Sequence, residues 1–481
     1  MRRKVLSREE FQKIYDQGPD ACYELFQQLF HQVEILTKRV QILEEQLSSN
    51  SKNTHKPPST DKKITRKTNS LRKKSKKKPG GQKGHKGDTL HFSSSPDFVE
   101  EHSHHDCPHC NNSLDNAEVV DVEKRQVFDL PPQKLEITEH QSPLKKCVHC
   151  QKVSKAPFPE GVTAKTQYGN RLKALCVYLH SYQFLPFKRI SEFFKELFSH
   201  PISTGTLVNM EKTASENLGF FEEMLKLGLL SSKNVHFDES GIRYEGRRKW
   251  FHVASTPELT YYYAHDKRGE EGMRAAGVLP EFAGNAVHDF WKSYLKFENC
   301  EHSLCNVHHL RDLTFLEEKR SEKWATEMKS FLLKTKKRVE KAVARGPTIS
   351  NYLKKDIENR YKKIVKMGLK ETEEPEKRKA GQRGKIGKSK GRNLVERFLN
   401  YQEEILRFVS DFEVPFSNNQ AERDVRMVKV QQKISGSFRA KSGAERFCRI
   451  RSYLSTAKKH HLNILEALED AFLFNPFIPT F

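Results

Sequence analysis

The sequence has no long apolar run. Among its 481 residues there is no stretch of about 18 consecutive apolar residues, the length that crosses a bilayer. The opening residues, Met1 to Lys4, lead into no apolar segment of the kind that signal peptides carry. We therefore expect neither a membrane-spanning helix nor a secretory leader.

Cysteine is sparse and odd in number. The chain has nine cysteines, and four of them form two C-x-x-C pairs. This usage favours metal binding in a reducing compartment over a disulfide framework. The length favours two to four domains.

Acidic residues are outnumbered, 62 against 85 Lys and Arg, which gives a formal charge of +23. The excess indicates a polyanionic partner, with nucleic acid first and an anionic membrane surface second. From Lys62 to Lys86 there are twelve basic residues and no acidic one. Such a segment forms no core, and we expect it to be a disordered arm that contacts DNA phosphates; the alternative is a solubilising linker. The densest candidates are Lys73, Lys74, Lys76, Lys77 and Lys78.

A helical pattern runs from Arg8 to Ser48, with apolar residues at alternating spacings of three and four. This spacing lines the apolar residues up along one side of the helix, as an a/d seam. The seam predicts a dimerising coiled coil over residues 1–48; the alternative is an amphipathic helix packed on its own domain. A flexible linker is predicted over residues 49–100. The seam residues are Phe26, Leu29, Val33, Leu36, Val40, Leu43 and Leu47.

The two C-x-x-C pairs lie 37 residues apart, from Cys110 to Cys147. Four thiolates at such spacing suit a tetrahedral structural zinc site, here over residues 101–160; redox pairs or separate thiols are the alternatives. Residues 126–135 between them are interpreted as strand and turn, as in a zinc ribbon. The predicted ligands are Cys107, Cys110, Cys147 and Cys150, and the lower-ranked competitors are His102, His104 and His105.

Short helices are predicted over residues 161–230. A break at His200-Pro201, with Ser203 or Thr204 as a cap, resembles a helix-turn-helix, although any helical hairpin gives a similar pattern. Arg189 in the first of these helices is a candidate DNA contact.

The pattern changes to strands at Asn234. Three β-prone runs, a helix from Gly269 to Ala276 and a further strand at 286–288 predict the first part of an RNase H-like core over residues 231–320. Asp238 is expected on the first strand, which should end in a turn at Gly241. Asp289 follows the fourth strand, 51 residues later.

A helical insertion is predicted over residues 321–411, within helical patterns at 302–345, 351–369 and 394–411. It includes a basic loop at 376–392. The core should resume over residues 412–481, with Glu422 near the start of a helix capped by Ser417 or Asn418. Arg423 and Arg426 on that helix are candidate phosphate contacts.

Asp238, Asp289 and Glu422 together form a candidate site for phosphodiester chemistry. Such chemistry needs an activated oxygen and a stabilised leaving oxygen, which two divalent ions held by carboxylates supply. Any one of these residues alone is more often a solvated charge. Their contexts, two strand ends and an Asn-Asn-x-x-Glu-Arg block, favour the site. Glu239 and His288 should point to the other face of the sheet.

The sequence resembles transposases of the insertion sequence 66 family, which are DDE transposases. The resemblance extends over nearly the whole chain. It rests on blocks that include Gly80-Gly81-Gln82-Lys83-Gly84-His85, Leu185-Pro186-Phe187-Lys188-Arg189, Cys305-Asn306-Val307-His308 and Asn418-Asn419-Gln420-Ala421-Glu422-Arg423.

The resemblance implies a multidomain α+β protein whose catalytic triad is Asp238, Asp289 and Glu422. It further implies two Mg²⁺ or Mn²⁺ ions, structural Zn²⁺, and cutting and joining of DNA at element ends and target. A homo-oligomer, accessory proteins of the same element and a cytoplasmic, nucleoid-associated location in a bacterium are also implied.

Three points stay open in the sequence. Phe290-Trp291 follows Asp289 where many relatives have Gly-Tyr. Cys305 and His308 favour a structural role near the active site over zinc binding. The competing functions are a zinc-containing DNA-binding protein that does not cut, and a hydrolytic nuclease of the RNase H-like group.

Overall fold

A computed structural model describes residues 7–48, 84, 89–344, 346, 349–372 and 388–481. The chain forms two compact units. Of the described residues, those within 1–65, 164–191 and 202–481 belong to one unit, and those within 66–163 and 192–201 belong to the other. Within the described ranges, no helix has the length and apolar character needed to cross a membrane.

The N-terminal helical segment is two helices rather than one. Helix α1 spans Arg8–Tyr15 and α2 spans Pro19–Ser48. Ser7 and Glu10 form a capping box, in which each side chain accepts a hydrogen bond from the other residue's backbone N–H, at 3.1 and 2.8 Å. The chain breaks at Gly18, whose φ of +98° suits glycine, and Pro19 starts the next helix because its missing N–H is not needed there.

Residues 89–163 of the second unit form little regular structure. Strand β1 (Lys145–Lys146) pairs antiparallel with β2 (Val153–Ser154), and Asp106 bridges to Ser113. The strand predicted within residues 126–135 was wrong, because no described residue pairs with that segment. A strand needs a hydrogen-bonded neighbour, and an apolar run alone does not supply one.

Short helices precede the sheet, as predicted. They are α3 (Asn170–Val177), which continues into a π-helical turn at Tyr178–Tyr182, then α4 (Phe187–Phe198), α5 (Thr204–Asn217) and α6 (Gly219–Ser231). Ser203 is the cap of α5, and its hydroxyl accepts a hydrogen bond from the Thr206 N–H at 3.1 Å.

One five-stranded sheet lies in the first unit. Its elements in chain order are β3 (Asn234–Tyr244), β4 (Arg247–Ser255), β5 (Thr260–His265), α7 (Glu270–Ala276), β6 (Asn285–His288) and β7 (Glu301–Leu304). The spatial order is β5-β4-β3-β6-β7. Strands β3, β4 and β5 form an antiparallel meander, whereas β6 and β7 run parallel to β3.

The turn predicted at Gly241 was wrong. Strand β3 continues to Tyr244, and the reversal falls at Glu245 and Gly246, whose φ values are +52° and +68°. Two left-handed residues make the two-residue hairpin loop that matches strand twist. Gly241 pairs with Trp250 inside the ladder, where the Arg248 side chain comes within 3.3 Å of the position that a Cβ would take. The glycine serves close packing there.

Helices cover one face of the sheet. Helices α13 (Asn419–Ser435) and α14 (Lys441–Lys459) pack on β3, β4 and β5, and α15 (Ile464–Phe472) follows them. This core includes side chains from both layers: Ile242, Tyr244, Phe251, Tyr262, Ala421, Val425, Val428 and Phe447.

A second core lies in the helical insertion. Its helices are α8 (Asn306–Arg320), α9 (Lys323–Val343), α10 (Asn351–Glu371), α11 (Lys390–Asn400) and α12 (Gln402–Ser410). Trp324, Tyr361 and Phe398 are fully buried at its centre. The predicted helices are present, except that His302 lies on β7, a strand that the sequence pattern did not indicate. Residues 376–387 of the predicted basic loop lie outside the described residues, and the prediction was wrong for residues 390–392, which form the first turn of α11.

Candidate active site and metal centres

The first two acidic residues lie side by side. His236 of β3 pairs with Val287 of β6 in parallel register. Asp238 lies two residues further along β3, and Asp289 lies two residues further along the other chain segment, immediately after β6 ends, so the same register would set the two at one level. Register, which spacing alone does not reveal, brings these two carboxylates together.

The third acidic residue reaches the same place from a helix. Glu422 lies in the first turn of α13, which packs against β3. The pKa of Asp238 is raised well above its ordinary value, first by burial, then by the negative charges of Glu239 and Asp289, and also by Glu422. Asp238 therefore shares a small region with the other two carboxylates.

These residues fit a divalent cation. Several negative charges gathered around a buried carboxylate repel one another, and the cost of burying them falls when a cation joins them. Carboxylate oxygens are also the ligands that Mg²⁺ and Mn²⁺ prefer. The donor set is thus suited to hard divalent metal.

Asn418 connects the strand to the helix that carries Glu422. It is the residue before α13, yet its side chain does not cap that helix. Instead its Oδ1 lies 2.8 Å from Nδ1 of His236, and its Nδ2 donates to the Phe237 carbonyl at 2.7 Å. Sequence reasoning treated Asn418 only as a possible cap. Its true contact, 181 residues away in the chain, is invisible to local pattern.

Asp424 fixes the same helix from its other side. Its Oδ2 accepts hydrogen bonds from Ser255 at 2.7 Å and from Lys459 at 2.9 Å. The Lys459 ammonium also donates to the carbonyls of Thr256 and Leu259, at 2.7 and 2.8 Å. The first turns of α13 are therefore held to both β4 and α14, which restricts where the Glu422 side chain can lie.

Glu239 points away from the triad, as predicted. Its carboxylate accepts hydrogen bonds from Arg268 at 2.6 Å and from Tyr294 at 2.5 Å. The Arg268 guanidinium stacks 4.0 Å from the ring centre of Trp291. Trp291 and Tyr294 belong to the segment after Asp289, so Glu239 holds that segment on β3. Trp291, which stands in the segment where many relatives have Gly-Tyr, is thus packed against Arg268 in this structure.

His288 is a packed histidine, also as predicted. It is fully buried, and its Nε2 lies 2.8 Å from Nδ1 of His302. Burial lowers its pKa to about 3, so the ring is neutral.

Cys305, His308 and Glu422 form a second group near the triad. One ligand atom from each lies within 4.8 Å of the others, and this is the one such group of three or more among the described residues. Cys305 immediately precedes α8, and His308 lies in its first turn. Two of the residues come from the C-x-x-H block, whereas Glu422 comes from a different helix.

The C-x-x-C pairs fold into two similar turns. In each, the N–H of the residue after the second cysteine donates to the carbonyl of the first, at 2.9 Å: Asn111 to Cys107, and Gln151 to Cys147. Backbone N–H groups within each turn lower the pKa of Cys107 and Cys147, which favours the thiolate that zinc requires. The four described sulfurs do not form one group within 4.8 Å.

The candidate DNA contacts divide into three sets. Arg423 and Arg426 are exposed on α13 beside Glu422, and Arg189 is exposed on α4. The third set, the basic arm, lies outside the described residues, including Lys73, Lys74, Lys76, Lys77 and Lys78.

Of the histidines that could compete as zinc ligands, His105 contacts a carboxylate instead: its Nδ1 lies 3.0 Å from Oδ1 of Asp115.

Three regions of the chain match known families. Residues 165–446 match the Transposase IS66 family, and residues 105–151 match the zinc-finger binding domain of transposase IS66. Residues 12–91 match a family of unknown function, DUF6444. No curated protein matches the chain. Because the first match covers more than half of its length, the chain belongs to the IS66 family of transposases. The zinc-finger match includes all four cysteines of the C-x-x-C pairs and supports structural zinc.

Proposed function

We propose that this transposase cuts and joins DNA through a DDE triad of Asp238, Asp289 and Glu422. The observation that carries the proposal is geometric: β6 pairs in parallel register with β3, and α13 packs against β3, so the segments that bear Asp238, Asp289 and Glu422 are neighbours. After burial, the negative charges of nearby carboxylates, including Asp289 and Glu422, also raise the pKa of Asp238. The sheet order β5-β4-β3-β6-β7, with its antiparallel meander and two parallel strands, supports an RNase H-like catalytic core.

The three carboxylates would hold two Mg²⁺ or Mn²⁺ ions, which supply an activated oxygen nucleophile and stabilise the leaving oxygen. Asn418 and Asp424 orient the helix that carries Glu422. Arg423 and Arg426, exposed one turn apart, are placed to bind the DNA backbone next to the reacting phosphate.

We propose that the DNA partners are the terminal inverted repeats of the element and a target duplex. The net charge of +23 supports a phosphate-binding protein, and the proposed contacts are the basic arm, Arg189 and the helix-turn-helix that the sequence predicts within residues 161–230. The C-x-x-C turns would hold structural zinc in the DNA-binding part of the chain.

A homo-oligomer is proposed through α2. Its apolar seam is exposed: Phe26, Leu29, Val33, Leu36, Val40 and Leu43 are each more than half accessible to solvent. Exposed apolar residues at heptad spacing are stabilised when a second helix covers them. Accessory proteins from the same element remain an expectation from the family.

The test uses the purified chain, Mg²⁺ and a labelled duplex that ends in the element's own terminal sequence. Asp238→Ala, Asp289→Ala and Glu422→Ala should each abolish cleavage and joining while DNA binding persists. Glu413→Ala, which removes a carboxylate that pairs with Lys233 away from the triad, is the matched control and should behave as wild type.

The alternatives give different outcomes in the same assay. A hydrolytic nuclease would cut the duplex without joining it to a target plasmid. A DNA-binding protein that does not cut would bind the ends and leave them intact, with or without the alanine changes. Cleavage by the alanine variants at the wild-type rate would refute the triad.

A further inference from the structure

The group of Cys305, His308 and Glu422 contains two buried polar atoms without a hydrogen bond among the described residues. They are Oε1 of Glu422 and Nδ1 of His308. The Glu422 Oε1 lies 3.8 Å from Nε2 of His308, which exceeds hydrogen-bond distance. A buried polar atom left unsatisfied costs about 1–3 kcal/mol, and a bound ion is one way of removing that cost.

The donor types in this group differ from those of the triad. A thiol, an imidazole and a carboxylate are the donors that zinc accepts, whereas Mg²⁺ takes oxygen ligands and does not favour sulfur. The ligand atoms of the three residues already lie within 4.8 Å of one another, so small side-chain rotations bring them onto one ion.

Burial, and then the negative charge of Glu422, raise the pKa of the Cys305 thiol to about 11, so the residue keeps its proton until a metal displaces it. Backbone groups around Cys305 oppose this shift. Its sulfur accepts a hydrogen bond from the backbone N–H of Asn418 at 3.1 Å. It also immediately precedes α8, where the helix dipole favours negative charge. Outer hydrogen bonds of this kind orient metal ligands and tune their basicity.

We infer that Cys305, His308 and Glu422 bind one Zn²⁺ ion, separate from the zinc of the C-x-x-C turns. Binding converts the Cys305 thiol to a thiolate and releases one proton to solvent; no electron is transferred. Three protein ligands leave a fourth position for water. Because Glu422 belongs to both groups, the ion ties the first turn of α8 to the helix that presents this carboxylate to the triad.

The inference does not require the proposed DNA chemistry, because zinc content is measured without substrate. Untagged full-length protein should contain two zinc ions per chain by elemental analysis. Cys305→Ser and His308→Ala should each contain one. Cys300→Ser, which changes another buried cysteine outside the group, should keep two. Equal zinc content in the wild type and both site variants overturns the inference.

A measurement on the wild type alone guards against misfolded variants. In zinc X-ray absorption, four sulfur ligands at the C-x-x-C turns and one at Cys305 average to about 2.5 sulfurs per ion, with nitrogen or oxygen making up the remainder. One zinc per chain with an all-sulfur shell would show that Cys305 and His308 hold none. If the wild-type protein binds two zinc ions but does not join DNA, the result would count against the proposed function and leave this inference standing.

Discussion

Burial and the neighbouring carboxylates raise the pKa of Asp238 well above its ordinary value. Its raised pKa means that the folded chain binds a proton there more tightly than the unfolded chain does. Above the unfolded pKa, ionisation of Asp238 therefore destabilises the metal-free fold. A divalent cation should reverse this effect by compensating the charge.

Asp238→Asn should consequently raise the free energy of unfolding of the metal-free protein by about 1–3 kcal/mol. It should also remove most of the stabilisation that Mg²⁺ or Mn²⁺ gives the wild type. Thermal denaturation with and without metal checks both effects. Asp266→Asn is the control of opposite sign, because Lys249 and Tyr244 lower the pKa of Asp266 to about 2; its loss should not stabilise the fold.

Asn418→Ala should impair DNA cleavage more than DNA binding. The change removes the two side-chain contacts between the start of α13 and β3, and should destabilise the fold by about 1–3 kcal/mol. Asn419→Ala, at the exposed neighbouring position, should leave both properties close to wild type. Cleavage rates and affinities measured side by side decide this, and equal behaviour of the two variants would show that Asn418 does not position Glu422.

At the residue scale, the sequence pointed to the acidic residues but not to what holds them. Asp238, Asp289 and Glu422 stood out because of their strand and block contexts. Asn418, Asp424 and Lys459 did not, because their partners lie far away in the chain and are decided by packing. The catalytic role of Asp238, Asp289 and Glu422 stays a prediction.

At the scale of single elements, the exposed apolar seam of α2 leads to a prediction about oligomeric state. Leu36→Glu places a charge in the exposed apolar seam and should shift the protein from oligomer to monomer, because the charge would be buried at a helix–helix contact. Ile35→Glu changes the adjacent exposed apolar residue outside the seam and should leave assembly unchanged. Sedimentation analysis distinguishes them. If both variants stay oligomeric, α2 is not the interface.

Only some boundaries of the helices and strands could be predicted from the neighbouring residues in the sequence. The Ser203 cap and the helix from Gly269 to Ala276 were predicted correctly because caps and short helices depend on nearby residues. Gly241 was misread as a turn because nothing in the sequence indicates that Arg248 packs against it. Strand β7 was missed because its four residues, Glu301–Leu304, become a strand only by pairing with β6.

For the whole molecule, buried histidines predict sensitivity to acid. Burial lowers the pKa of His288 to about 3, and burial likewise lowers those of His252 to about 4 and His309 to about 3. Because the unfolded chain binds these protons near pH 6.5 and the folded chain does not, stability is lost as pH falls below that value. Asp238 acts in the opposite direction, but it is one group against three.

Urea unfolding between pH 7 and pH 5 should therefore show a falling free energy of unfolding, by up to about 1.4 kcal/mol per pH unit for each histidine in the titrating range. His288→Gln should reduce the slope. A free energy that stays constant across this range would mean that the histidines are not neutral and buried in solution.

The most direct test of the central claim asks whether three distant segments surround one metal. Mg²⁺ is replaced with Fe²⁺, ascorbate and peroxide are added, and the polypeptide is analysed for oxidative backbone cuts. The account predicts cuts near Asp238, Asp289 and Glu422, suppressed by excess Mg²⁺ and lost in Asp238→Asn. Cuts at only one of these segments, or cuts that Mg²⁺ does not suppress, would contradict a shared metal site.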